Sequence, residues 1–180
     1  WASLRWTAGP LTLLPGARAD RWSLTGEATA SPWLQAEVRT GRSTSVRGGA
    51  GVYRQFPDFE QVIGALGSAG ARSERALHYD LGFEHRIGTD VRWQVTVFDR
   101  EEHGFFRRAG AETRLVNGRV VRGAIGAPFR ASLDGRARGA ELLVQRRSST
   151  GLSGWASYSF GRLRYRDRLT GEDFWGNLDQ

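Results

Sequence analysis

The strongest constraint on the fold is an alternation of apolar and polar side chains between His78 and Ile87. Tyr79, Leu81 and Phe83 occupy alternate positions, and polar, charged or glycine residues fill the positions between them. A helix would spread these charges around its circumference, whereas a strand places the two kinds of side chain on opposite faces. A turn sequence at 88–90 and a second alternating segment at 92–97 follow, which predicts a β-hairpin.

The same alternation recurs in six further segments on both sides of this hairpin. They are residues 2–6, 11–17, 34–38, 46–53, 140–145 and 155–160. Together with the hairpin they predict eight antiparallel strands. Pro15 interrupts the second segment, because a proline cannot donate a hydrogen bond to a strand ladder.

The expected connections alternate in length. Tight turns are expected at 8–10, 40–43, 88–90 and 148–151, and long irregular segments at about 21–32, 55–77 and 100–135, with another loop beginning after residue 163. Outer-membrane barrels have short periplasmic turns and long extracellular loops, whereas a soluble sandwich or barrel has no need for such a difference. The sequence therefore favours an all-β, antiparallel transmembrane β-barrel. A soluble β-rich binding module is the alternative from another class.

On this interpretation the apolar positions of the strands face lipid. The longest unbroken apolar run, Leu142 to Val144, is far shorter than the about 20 residues of a spanning helix, whereas a spanning strand needs only alternate apolar positions. The residues predicted to face lipid are Tyr79, Leu81, Phe83, Trp93, Val95, Val97, Leu142, Val144, Tyr158 and Phe160.

Composition and motifs argue against several other functions. The net charge is +7, but the arginines are dispersed over polar strand positions and loops without a stacking platform, so no nucleic-acid partner is expected. The sequence has no cysteine, and the odd separation of His78 and His85 places them on opposite faces of one strand. Neither a nucleophile elbow nor a phosphate-binding loop is present. We therefore expect no catalytic residues, no metal site, no cofactor and no enzymatic activity.

Several segments, taken in order, resemble the barrel of TonB-dependent outer-membrane receptors. They are GVYRQFPDF at 51–59, Glu74-Arg75-Ala76, HYDLGFE at 78–84, GRARGAEL at 135–142, GWASYSF at 154–160 and Asp179-Gln180. The resemblance implies a barrel of about 22 strands around a plug, located in the cell outer membrane of a Gram-negative bacterium. It also implies active uptake of a scarce nutrient such as an iron-siderophore, coupled to the TonB complex through an N-terminal box.

Neither a plug, a TonB box nor closing strands are recognised in this sequence. Residues 1–180 are therefore expected to form a partial outer-membrane β-barrel domain, about eight strands of the larger wall, and both chain ends are expected on the extracellular side. The expected partners are outer-membrane lipid, the TonB complex through the absent N-terminal region, and a nutrient ligand such as a metal chelate. A passive or structural outer-membrane barrel is the nearest alternative function.

If the chain belongs to a receptor, ligand contacts should come from outer strand ends and long loops. The candidate ligand-binding residues are Tyr53, Arg54, Phe56, Arg107, Arg108 and Trp175. Arginine side chains bind anionic groups and aromatic side chains offer flat apolar surfaces. These residue types suit iron chelates, sugars and peptides alike, so the sequence does not identify the ligand.

Overall fold

The computed structural model describes residues 1–148 and 150–176, which form an antiparallel sheet with additional structure in its loops. The strands are β1 (Ala2–Ser3), β2 (Trp6–Ala8), β3 (Leu11–Arg21), β4 (Ala28–Arg39), β5 (Thr44–Gln55), β6 (Glu74–Ile87), β7 (Val91–Arg107), β8 (Arg114–Val116), β9 (Arg119–Val121), β10 (Arg130–Arg146), β11 (Gly154–Asp167) and β12 (Asp173–Gly176). One short helix, α1, covers Phe59–Ile63, and a turn of 3-10 helix covers Ala109–Ala111. In the described ranges, no helix combines the length and apolar character needed to cross a membrane.

Over the described residues, the main sheet has ten strands in the order β1, β3, β4, β5, β6, β7, β10, β11 and β12, with β2 also paired to β3. Each strand pairs antiparallel with its neighbour, and the chain moves steadily from one edge of the sheet to the other. The hairpin of β8 and β9, which lies between β7 and β10 in the sequence, forms a separate two-stranded sheet. The predicted all-β, antiparallel fold class is confirmed.

All eight predicted strands are present, the first of them in two pieces. β1 and β2 pair with β3 in the same register, with Ser3 opposite Gly16 and Trp6 opposite Leu13. The break between them lies opposite Pro15, whose carbonyl oxygen accepts a hydrogen bond from Leu4 at 3.0 Å. Pro15 has no N–H to return, so the ladder is interrupted there.

The strands on the long-loop side extend further than the alternation predicts. β7 and β10 each have 17 residues, whereas about 9 to 11 suffice to span a membrane. Their outer ends carry polar residues on both faces, so the alternation that identifies a strand is lost there. The connections on this side consequently shrink to residues 22–27, 56–73 and 108–129.

The two longest connections contain regular structure that the irregular-loop prediction did not include. Helix α1 begins after Asp58, whose backbone N–H donates to Gln61 Oε1 at 2.9 Å. The β8–β9 hairpin turns at Asn117 and Gly118, with φ of 49° and 76°. An Asn-Gly pair between short apolar segments is a strong hairpin signal, because both central positions of that turn need positive φ.

The segment expected to begin another loop after residue 163 continues as strand instead. β11 runs to Asp167, and β12 returns beside it after a turn at 168–172. Asp167 Oδ1 accepts the backbone N–H of Leu169 at 2.9 Å and that of Thr170 at 3.3 Å, which closes the turn. The turn expected at 148–151 lies partly outside the described residues, because it includes position 149. Asp179-Gln180 lies wholly outside them.

Candidate functional site

One face of the sheet carries two adjoining rows of uncharged residues that each cross eight strands. Residues directly opposed in an antiparallel pair share a face, so the registers define each row. The first row is Trp6, Leu13, Ala36, Gly48, Leu81, Val97, Ala140 and Phe160. The second row is Ala8, Leu11, Val38, Val46, Phe83, Val95, Leu142 and Tyr158. We call this surface the apolar face.

All ten residues predicted to face lipid lie in these two rows or in the next row on either side, which we include in the apolar face. Tyr79 lies in the next row toward the long loops. Trp93 and Val144 are paired in the next row toward the tight turns. Leu81 is 57% exposed and Tyr158 is 66% exposed. A continuous apolar surface of this extent is rare on a soluble monomer and marks a contact with a partner or a membrane. Contact with lipid remains a prediction.

The outer limit of the apolar face crosses the sheet obliquely. Arg21 lies eight positions beyond Leu13 in β3, whereas Arg162 lies two positions beyond Phe160 in β11. Between β3 and β11 the limit therefore shifts by six residues, which is about 20 Å along the strands. The distance across the sheet between these two strands is six strand spacings, or about 29 Å. If this limit is level in a membrane, the strands tilt by about 35°, within the range of outer-membrane barrels.

The opposite face, which we call the polar face, contains buried polar side chains and aromatic rings over glycines. Glu84 and Glu102 are 9% and 4% exposed there. The Phe98 ring lies so close to Gly139 that a Cβ at that glycine would approach the ring to 2.6 Å. The carbonyl oxygen of Phe160 would lie closer still, so any larger residue at Gly139 would have to displace both the ring and the neighbouring backbone.

Aromatic and charged side chains meet at the outer end of the polar face, where the long loops begin. The ring centroids of Tyr53 and His78 are 5.1 Å apart. Nearby, Arg100 forms an ion pair with Glu102, and Glu74 Oε1 accepts the backbone N–H of Phe106 at 3.2 Å. Tyr53 is 43% exposed. This part of the polar face therefore offers the ring of Tyr53 and the partly exposed guanidinium of Arg100 to a ligand.

Ionic side chains join the long 108–129 loop to the sheet. Arg107 Nη1 lies 3.0 Å from Asp167 Oδ2 and 3.3 Å from Glu172 Oε2, and Arg114 Nη1 lies 3.1 Å from Glu172 Oε1. Asp167 is fully buried, and Arg107 also binds Glu112. We call Arg107, Glu112, Arg114, Asp167 and Glu172 the loop-anchor cluster. It links β7, the loop and the β11–β12 turn.

The pKa of Glu172, which lies in the turn after β11, is set by burial on one side and by hydrogen bonds and positive charges on the other. Partial burial alone would raise it, but hydrogen bonds from Thr170 and Arg114 and the positive charges of Arg114 and Arg107 outweigh burial and lower the pKa. A carboxyl whose pKa falls on folding stabilises the fold above its unfolded pKa. That stabilisation is lost as pH falls through the lowered value.

The six candidate ligand residues do not converge on one site. Tyr53 lies on the polar face, whereas Arg54 lies on the other face, where its Nη1 donates to Ser73 Oγ at 3.3 Å. Trp175 pairs with Arg164, also on the apolar-face side, and is 67% exposed. The ring of Phe56 packs against Trp22 with centroids 5.3 Å apart.

The two arginines after β7 bind protein groups. Arg107 belongs to the loop-anchor cluster, and its guanidinium also lies 4.7 Å from the ring centroid of Phe174. Arg108 donates to the carbonyl oxygens of Ala127 and Ile125. Both side chains therefore hold the 108–129 loop in place in this structure.

The histidines occupy separate environments. His78 and His85 lie on opposite faces of β6, as their separation predicts, and His85 Nδ1 is 2.8 Å from Thr44 Oγ1. His103 Nδ1 lies 3.5 Å from Asp134 Oδ1. Within residues 1–148 and 150–176, no group of three or more histidine or acidic residues is arranged to hold a metal ion.

The geometry defines an antiparallel sheet with one apolar face, one polar face and long loops at one end. The family model described as "TonB dependent receptor-like, beta-barrel" matches residues 1–178. The chain therefore belongs to the TonB-dependent receptor β-barrel family, a family of receptors and transporters, as the sequence resemblance predicted.

Two solved structures share the fold at low sequence identity. The FrpB iron transporter from Neisseria meningitidis (F3-3 variant) superposes with a TM-score of 0.67 at 17% identity, covering 91% of this chain and 24% of that one. The copper transporter OprC gives a TM-score of 0.58 at 16% identity, covering 91% of this chain and 31% of that one. This chain thus spans about a quarter to a third of their length. The comparison with curated protein sequences finds no match.

Proposed function

We propose that this chain is part of the barrel wall of an outer-membrane receptor that takes up a scarce nutrient with energy from the TonB complex. The observation that carries the proposal is the match of the receptor-barrel family to residues 1–178. The apolar face supports it, because an exposed apolar surface of that extent marks a contact surface, and a membrane is one of the contacts that it fits. The plug, the TonB box and the remaining strands would be supplied by sequence outside residues 1–180.

A metal-bearing nutrient is the substrate class that we favour. The two similar structures are an iron transporter and a copper transporter by their names. An iron-siderophore is an example of the proposed class. It would enter from the side of the long loops, pass Tyr53 and His78 on the polar face, and be released toward the side of the tight turns.

Energy coupling separates this proposal from a passive or structural barrel. Cells that lack the full-length protein should lose uptake of the radiolabelled nutrient, and re-expression should restore it. We expect the restored uptake to stop when TonB is deleted or the proton-motive force is collapsed. Uptake that persists under both treatments would favour a passive barrel, and unchanged growth on every metal source would reject a metal-bearing nutrient as the substrate.

Tyr53 offers a test of where the ligand binds. We expect Tyr53→Ala to weaken nutrient binding by about 1 kcal/mol or more, since a ring that stacks on a ligand contributes roughly 0.5 to 1.5 kcal/mol beyond its buried area. Binding to cells that express equal amounts of barrel provides the measurement. Arg54→Ala is the matched control, because the adjacent side chain lies on the other face. Equal losses in both variants would contradict a ligand site on the polar face.

A further inference from the structure

Four arginines line a groove at the outer margin of the apolar face, on β10 and β11. The groove has a volume of about 570 Å³. Its principal side chains are Arg136, Arg138, Arg162, Arg164, Phe160 and Trp175. Their positions alternate along the strands, so they share the face that carries Leu142 and Tyr158.

The groove begins where the uncharged rows end. Ala140 and Phe160 are paired in the first row, and Arg138 and Arg162 are paired two positions further out. In a membrane-spanning barrel, this places guanidinium groups at the level where the acyl chains give way to the lipid headgroups. Phe160 and Trp175 provide apolar surface within the same groove.

The positive charge of the groove is only partly neutralised by carboxylates. Asp99 is shared by Arg136 and Arg138, at 2.7 and 3.0 Å, and Arg136 also lies 3.2 Å from Glu101. Arg164 lies 3.4 Å from Asp173, so three carboxylates face the four arginines. In the part of the chain that the structure describes, Arg162 makes no ion pair with a carboxylate, and its guanidinium carbon lies 5.5 Å from the Phe160 ring centroid. A guanidinium has five N–H donors, so the paired arginines also retain donors for a further anion.

We propose that this groove binds the phosphorylated headgroup of an outer-leaflet lipid. Arginine suits this ligand because its planar fork matches two phosphate oxygens and is less strongly hydrated than an ammonium group. The headgroup phosphate would sit on Arg162 and Arg164, and the adjacent acyl chain would run along Phe160 toward the apolar rows. This inference rests on the proposed function, because it requires the apolar face to lie in the outer membrane.

Lipid binding to the purified full-length protein tests the proposal. Native mass spectrometry in detergent would compare bisphosphorylated lipid A with the same lipid after removal of both phosphates, and with inorganic phosphate alone. We expect retention of the bisphosphorylated lipid only. Equal retention of the dephosphorylated lipid, or binding of inorganic phosphate over the same concentration range, would overturn the proposal.

The variants R162Q and R164Q, combined, should weaken retention of the bisphosphorylated lipid by about tenfold or more, a factor that corresponds to about 1.4 kcal/mol. The matched control combines R39Q and R47Q, which remove two arginines from the polar face and should leave retention unchanged. R162Q alone breaks no ion pair among the described residues, so it provides the test if the double variant fails to assemble. Unchanged retention in R162Q and in the double variant would contradict the proposal.

The outcome can be distinguished from a failure of the proposed function. A full-length protein that is soluble without detergent would reject the membrane barrel itself. A protein that requires detergent and transports its nutrient, but does not discriminate lipid A by its phosphates, would reject only the lipid site.

Discussion

Leu81→Arg in the full-length protein should impair assembly of the barrel into the membrane. Leu81 lies in the first uncharged row, and the apolar face extends beyond it in both directions along β6. An arginine on the lipid face near the bilayer midplane costs about 2 to 4 kcal/mol, and the cost falls toward the interfaces. Urea titration of folding into lipid vesicles, followed by the heat-dependent gel shift of folded barrels, measures the change.

Ser159→Arg is the matched control for this substitution. Ser159 is exposed on the polar face and lies directly opposite Glu141, so an arginine there gains a carboxylate neighbour instead of entering lipid. We expect its free energy of unfolding to change by less than about 1 kcal/mol, as for other exposed ion pairs. Equal costs at the two positions would reject the assignment of faces.

Arg107→Ala should release the 108–129 loop from the sheet. The substitution leaves the fully buried Asp167 carboxylate without its guanidinium partner and removes one of the cations that bind Glu172. Breaking a buried ion pair costs about 3 to 5 kcal/mol. We expect the lower end of that range, because Asp167 keeps hydrogen bonds from the backbone of Leu169 and Thr170.

Proteolysis of the loop in intact membranes gives the readout for Arg107→Ala. Cleavage between residues 112 and 126 should become faster while the barrel itself stays folded. Arg18→Ala is the control, since it breaks an ion pair with Asp20 whose arginine is exposed and lies far from this loop in the strand order. Wild-type cleavage rates in Arg107→Ala would show that the loop-anchor cluster does not hold the loop.

The strands that carry the apolar face could be predicted from the sequence, and the reason is physical. A strand between lipid and a polar interior must alternate its side chains, so Tyr79, Leu81 and Phe83 identify both the strand and its face. Beyond the apolar rows this requirement disappears. The outer halves of β7 and β10 therefore carry no comparable signal, and they were expected to be loop.

The loop-anchor cluster could not be predicted from the sequence, for a different reason. Arg107 and Asp167 are separated by 60 positions and belong to no short motif, so only the register of β7, β10 and β11 brings them together. Sequence also placed Arg54 beside Tyr53 as a ligand residue, although adjacent residues of a strand point to opposite faces. The Asn117-Gly118 turn, by contrast, was a readable signal within a segment assigned as irregular.

Site-directed spin labelling of β6 tests most directly whether this chain is a membrane-barrel wall. The sequence contains no cysteine, so single cysteines can be placed in turn at positions 78 to 83 of the full-length protein in lipid vesicles. We expect labels at 79, 81 and 83 to collide with oxygen dissolved in the bilayer, and labels at 78, 80 and 82 to be shielded from it and accessible to a water-soluble nickel chelate. Equal accessibility at odd and even positions, or the opposite alternation, would contradict this expectation.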